Sequence, residues 1–137
     1  MPTLGPDDAR ARFAAARVAR LGTVTPSGAP HLVPVVFAVA DDRVLIAVDQ
    51  KPKRTRDLAR LRHIEANPAV SLLVDEYSDD WSTLWWVRAD GEASVRWDAL
   101  DEARSLLADR YPQHAADPPE GPVIDVAVGR WSGWSAR

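Results

Sequence analysis

The strongest constraint on the fold is written into residues 21–39. The stretch "LGTVT" is strand-like, "PSGA" is turn chemistry, and "HLVPVVFAV" is a second apolar strand. Two strands joined so tightly must run antiparallel, because a parallel pair needs a crossover of a dozen residues or more. Pro30 and Pro34 each lack an N–H, so the second strand carries a bulge or lies partly on an edge. The same punctuation recurs. "ADDR" turns the chain into the short apolar strand "VLIAV", and "AVSLLVD" follows later. "LWWVRADGEASV" reads as one or two strands joined or bent at "ADG", and "PVIDVAVGRW" alternates as a half-buried final strand does.

Three helices interrupt these strands. Residues 6–18 begin with Pro6, Asp7 and Asp8, which suit a helix N-terminus. Residues 54–66 place Leu58, Leu61 and Ile64 at helical spacing, and the residue before Pro68 ends the run. "WDALDEARSLLADRYP" puts Leu100, Ala103, Leu106 and Leu107 on one face, with Pro112 as its stop and "QHAADPPEG" as a loop. The expected fold is mainly β (α+β): about six antiparallel strands closed into a small barrel with peripheral helices. With 137 residues the whole chain, 1–137, reads as a single domain with a core of its own.

Composition removes several function classes. There is no cysteine, hence no disulfide framework, thiolate metal site or cysteine nucleophile. The first residues are acidic and proline-bearing where a secretory signal would be basic and then apolar, and no apolar run approaches the ~20 residues of a membrane span. A cytoplasmic setting is expected. The formal net charge of -3 argues against general nucleic-acid binding. No "G-x-S-x-G" elbow, no "G-x-x-x-x-G-K" loop and no convincing metal-ligand spacing is present.

Against that acidic background, "DQKPKRTRDLARLR" (49–62) holds both lysines of the chain and four arginines. Its beginning lies where an apolar strand gives way to a helix. A helix N-terminus presents free N–H groups and the positive end of a dipole, so Lys53 and Arg54 fit a phosphate-binding corner. A solvated helix face accounts equally for such charge, and does so well for Arg60 and Arg62. His31, among apolar neighbours, reads as structural, and His63 and His114 read as surface residues. In the tryptophan-rich strand, alternation sends Trp85 and Trp86 to opposite faces, with Arg88 on the face of Trp86.

The stretches "RLGTVTPSGAPHLVPVVFAV", "VLIAVDQKPKRTRDLARLRHIEANPAVSLLVD", "DWSTLWWVRADGEASV" and "VGRWSGW" together resemble the flavin/deazaflavin oxidoreductase family that has the split β-barrel of pyridoxamine 5'-phosphate oxidase. "DWSTLWWVRADG" is similar to a subgroup dependent on coenzyme F420. The resemblance implies a six-stranded split barrel of the FMN-binding type, assembled as a homodimer with cofactor sites between subunits. It implies hydride transfer between reduced F420 and a small unsaturated or carbonyl-like acceptor. FMN is the alternative cofactor, although "QKPKRT" departs from the phosphate pattern of the flavin oxidases. A cofactor-binding protein without catalysis is the third possibility. Carried over by position, Val33, Pro34, Val35 and Val36 would lie along the ring system. Ala47, Val48 and Asp49 would pass the sugar-like chain, and Lys51, Lys53 and Arg54 would meet the phosphate. Trp86, Arg88 and Trp134 would complete the cofactor contacts, and Tyr77 is the candidate proton donor.

Overall fold

The turn at residues 25–29 forms as its chemistry demands. Gly28 adopts φ 89°, and the Thr25 backbone closes the turn with bonds of 2.8 Å to Gly28 and Ala29, while the Thr25 hydroxyl accepts from the Ala29 N–H at 3.0 Å. This hairpin opens the sheet of a computed structural model that describes residues 3–48 and 55–137, the side chains of 55–58 excepted. Asp49, Lys51, Lys53 and Arg54, expected along the cofactor's sugar-phosphate portion, lie outside the described residues.

Eight strands are described: β1 (Thr3–Leu4), β2 (Ala19–Val24), β3 (Pro30–Val35), β4 (Ala38–Ala40), β5 (Arg43–Ala47), β6 (Ala69–Glu76), β7 (Trp85–Arg96) and β8 (Val123–Ser135). They pair antiparallel in the order β3-β2-β6-β7-β8-β5-β4, with β1 added to β8. The expectation of six strands closed into a barrel is corrected in two respects. The described sheet has eight strands, and no ladder among the described residues joins its ends, β3 and β4. Only Val36 and Phe37 separate those two strands, which holds their facing ends within about 11 Å of each other. The sheet therefore curls until its ends meet, without closing.

"LWWVRADGEASV" forms the single strand β7, irregular only where its pairing with β8 shifts between Asp90 and Gly91. A side chain at Gly91 would stand 2.2 Å from the Ala127 carbonyl oxygen, so no residue but glycine fits. "HLVPVVFAV" divides into β3 and β4 rather than continuing as one strand.

The curled sheet encloses Leu21, Val44, Leu72, Val74, Val87 and Val126, all fully buried. Helix α1 (Pro6–Ala15) covers one opening with little more than Phe13, whose ring meets Phe37 at 4.9 Å and Trp131 at 5.3 Å. Complete burial of such a ring is worth about 2–3 kcal/mol. Helix α2 (Thr55–Ala66) adds Leu61 and Ile64 to this core. Helix α3 (Leu100–Arg110) packs Ala103 and Leu107 on the far side of the sheet with Leu45 and Val123, and α4 (Pro112–Ala116) follows directly. Pro112 thus begins a helix as well as ending one, where the sequence suggests only a loop.

Beside α3 lies a closed charge cluster. The buried Asp125 carboxylate accepts from Arg43 at 2.9 Å and Arg96 at 2.6 Å. Arg43 continues to both oxygens of Glu102 at 3.0 and 3.1 Å, and Arg96 to both oxygens of Asp98 at 2.9 and 3.0 Å. Every cation in the cluster meets two carboxylates, which raises both guanidinium pKa values above the usual range.

Candidate functional site

The ends of β3 and β5 converge on a hollow of about 250 Å³ lined by Pro34, Val35, Val36, Ile46, Ala47 and Val48. Arg60 of α2 and His114 of α4 complete it. The hollow exists because the ladder stops there. Beyond Val35 the backbone has no strand partner in register, and Phe37 turns instead to the phenol of Tyr111. Its N–H donates to the Tyr111 hydroxyl at 3.3 Å, and its carbonyl lies 3.1 Å from the same oxygen. That hydroxyl also reaches the Arg17 carbonyl at 3.0 Å and accepts from Arg110 at 3.1 Å. One proton serves two carbonyls, so Tyr111 holds both segments but donates to one at a time. The exit of β5 is fixed separately, by the Val48 N–H on the Pro122 carbonyl at 2.8 Å.

Five of the residues expected along a cofactor, Pro34, Val35, Val36, Ala47 and Val48, thus share one hollow. Val33 packs against the core instead. Trp86 and Arg88 belong to another place, a shallow hollow on the outer face of the sheet with Leu73, Asp75 and Tyr77. Arg88 stands 5.9 Å over the Trp86 ring and donates to Asp90 at 2.9 Å, and Trp134 pairs with Trp86 across the strands. Burial opposes the charge of Asp90, but hydrogen bonds from Ser71 at 2.5 Å and from Arg88 outweigh it and hold the carboxyl below its usual range. Trp85 points the other way, against the core, with Arg12 5.4 Å over its ring.

Two of the three histidines meet. His31 and His63 stand edge to face at 4.9 Å, and Thr23 bonds the Nδ1 of His63 at 3.1 Å. Burial, and then the neighbouring His31 and Arg62, push the His63 imidazole below its ordinary value. His63 and His114 are half-buried, which corrects the reading of both as surface residues. Ile46, Arg60, Tyr111 and His114 are site residues that sequence reasoning missed; it assigns Arg60 to a solvated helix face. Nothing local marks Tyr111, which owes its position to Phe37 and Arg17 far away in the chain, and His114 follows from Tyr111. Among the described residues no group of three or more His, Asp and Glu side chains converges as a metal site would require.

Solved structures resemble this one over nearly its full length. A conserved hypothetical protein from Mycobacterium tuberculosis superposes with a TM-score of 0.79 at 21% identity, covering 98% of this chain and 86% of the other. A FAD-binding protein from Mesorhizobium loti gives 0.73 at 23%, covering 96% and 95%. The heme storage protein HutZ from Vibrio cholerae gives 0.69 at 14%, covering 96% and 95%. At these identities the likeness establishes the fold. No curated protein matches the sequence. The sequence profile of the family described as pyridoxamine 5'-phosphate oxidase matches residues 6–135, from the first turn of α1 to the last residue of β8, and the chain belongs to that family.

Proposed function

We propose that this chain is an oxidoreductase that holds a flavin or deazaflavin where β3 and β5 end, and that it works as a homodimer. The observation that carries the reading is the hollow itself: apolar walls from Pro34–Val36 and Ile46–Val48, with Val48 leading straight into the basic segment 49–54. A flat ring gains from apolar walls by about 25 cal/mol per Å² removed from water. A phosphate gains from lysine and arginine at a helix N-terminus. Pro34, Val35 and Val36 would hold the ring, Ala47 and Val48 would pass the sugar-like chain, and Lys51, Lys53 and Arg54 would meet the phosphate. When bound, such a cofactor supplies the two-electron chemistry, while the protein orients it and excludes water.

Coenzyme F420 and FMN share the tricyclic shape and the anionic tail. Similarity of "DWSTLWWVRADG" to a deazaflavin-dependent subgroup favours F420, and likeness to a FAD-binding protein favours a flavin. The homodimer rests on the outer sheet face. Leu32 (72% exposed), Pro34, Leu73, Trp86 and Trp134 lie on that one face by register, and Pro34 also borders the hollow. A second copy seated there would adjoin the cofactor.

Titration of the purified protein with F420, FMN and heme in parallel, followed by tryptophan fluorescence and visible absorption, tests the reading. Saturable, salt-sensitive binding of F420 or FMN is expected, and the tighter of the two is the cofactor. A heme Soret shift with no response to either ring system would overturn it. Sedimentation gives the oligomeric state.

A further inference from the structure

A second hollow, of about 530 Å³, adjoins the first and shares Val36 and His114 with it. Its floor is apolar, from Val18, Val36, Tyr111 and Pro112, and Arg17 stands at its rim. The two hollows meet at Val36 and His114. Val48, the residue before the basic segment, lies in the first hollow only. The second hollow does not contain this link to the basic segment.

Its charges are all of one sign. Arg17 is held in place by donating to the Arg110 carbonyl and by stacking 4.7 Å over Tyr111. The ring of His114 lies edge-on to Tyr111 at 5.9 Å. Tyr111 is fastened to Phe37 and the Arg17 carbonyl, so one phenol positions the floor and both rim groups. The charged and titratable groups facing His114 are Arg17 and Tyr111 from the second hollow and Arg60 of α2 from the first. Among the described residues no carboxylate lines either hollow, in a chain whose net charge is -3. Arg43 and Arg96, unlike Arg17, meet a carboxylate, that of Asp125.

We propose that this second hollow is the acceptor subsite, and that it takes a flat, largely apolar molecule bearing one acidic oxygen group, which Arg17 and His114 receive. Assigning it to the acceptor rests on the cofactor reading above; the binding chemistry of the hollow does not. An aromatic body lies against Val18, Val36, Tyr111 and Pro112. Its oxygen anion accepts from Arg17 and from a ring N–H of His114. His114 is thereby a specificity residue shared by the two hollows.

Naphthalene-2-carboxylate is a suitable probe, with naphthalene-2-methanol as its neutral counterpart, both followed by ligand-observed NMR on the protein alone and on protein saturated with FMN or F420. The carboxylate is expected to bind both forms, and about fivefold more tightly than the alcohol. His114→Phe should weaken carboxylate binding about fivefold while leaving the alcohol's unchanged, and Val36→Trp should block binding by filling the space that the two hollows share. Arg17→Gln should weaken binding about fivefold; because Arg17 also braces Tyr111, His114→Phe remains decisive should that variant fail to fold. Equal affinity for acid and alcohol, or a preference for the acid unchanged in His114→Phe, would overturn the proposal. Displacement of the probe by the cofactor would do so too, since the hollow would then be part of the cofactor's own place. If the probe binds as described but neither FMN nor F420 does, the cofactor reading fails and the anion site stands.

Discussion

Two regions of this protein gather arginines, and they use them in opposite ways. At Asp125 each guanidinium is matched by two carboxylates, and the cluster ties β5, β7 and β8 to α3. At the second hollow, Arg17 stacks on a phenol, no carboxylate among the described residues joins the lining, and the floor is apolar. A charge answered within the fold is committed to stability. A charge braced by an aromatic ring and a backbone carbonyl keeps its attraction for an anion from outside.

That contrast can be broken most severely at Asp125. Asp125→Ala leaves two arginines converging on a buried vacancy and should destabilise the fold by about 3 kcal/mol, toward the low end for a broken buried pair because the arginines themselves are over a third exposed or close to it. Urea unfolding measures it, and a loss below about 1 kcal/mol would mean the cluster is no seal. The next largest effect belongs to Tyr111→Phe, which strips Phe37 and Arg17 of a shared partner. A loss of about 1.5 kcal/mol is expected, with weaker probe binding in the second hollow; unaltered binding would show that the phenol does not hold that hollow together.

Val36→Asp sharpens the contrast by giving both hollows a carboxylate that their described lining lacks. FMN affinity in a fluorescence titration should fall about tenfold, close to 1.4 kcal/mol, while an unchanged affinity would place the anion elsewhere. The smallest effect concerns α2. The folded protein resists protonating His63, so the unfolded chain binds that proton more readily. Above about pH 6.5 the ring is neutral in both states and contributes nothing; as pH falls through that value, stability is lost until the folded group also titrates. Between pH 7 and 5.5, wild type should lose more of its urea midpoint than His63→Asn, and parallel curves would count against the assignment.

What could be read from the sequence is what depends on near neighbours. The turn around Gly28, the helix start at Pro6 and the opposite faces of Trp85 and Trp86 are local consequences of residue chemistry and period. The break between β3 and β4 was not legible. "VPVVFAV" is uniformly apolar, and the interruption is imposed by a tyrosine 74 positions away from Phe37. The same distance hid His114, whose place depends on Pro112 starting a helix against that tyrosine. Separating Trp86 and Arg88 from the β3–β5 hollow likewise needed the curl of the sheet, which periodicity along single strands cannot convey.

The position of β8 has a consequence for how the protein is made. This strand lies between β7 and β5 and also receives β1, so among the described strands β1 finds its one neighbour, and β5 and β7 their second, in residues 123–135. During synthesis from the N-terminus, β2, β3, β6 and β7 can assemble first, but β7 then offers a bare edge twelve residues long while α3 and α4 are still emerging. The β4–β5 hairpin waits apart over the same interval. Completion is one late, long-range event, the slow kind of step, and until it occurs the nascent chain carries the sticky border that its finished form conceals.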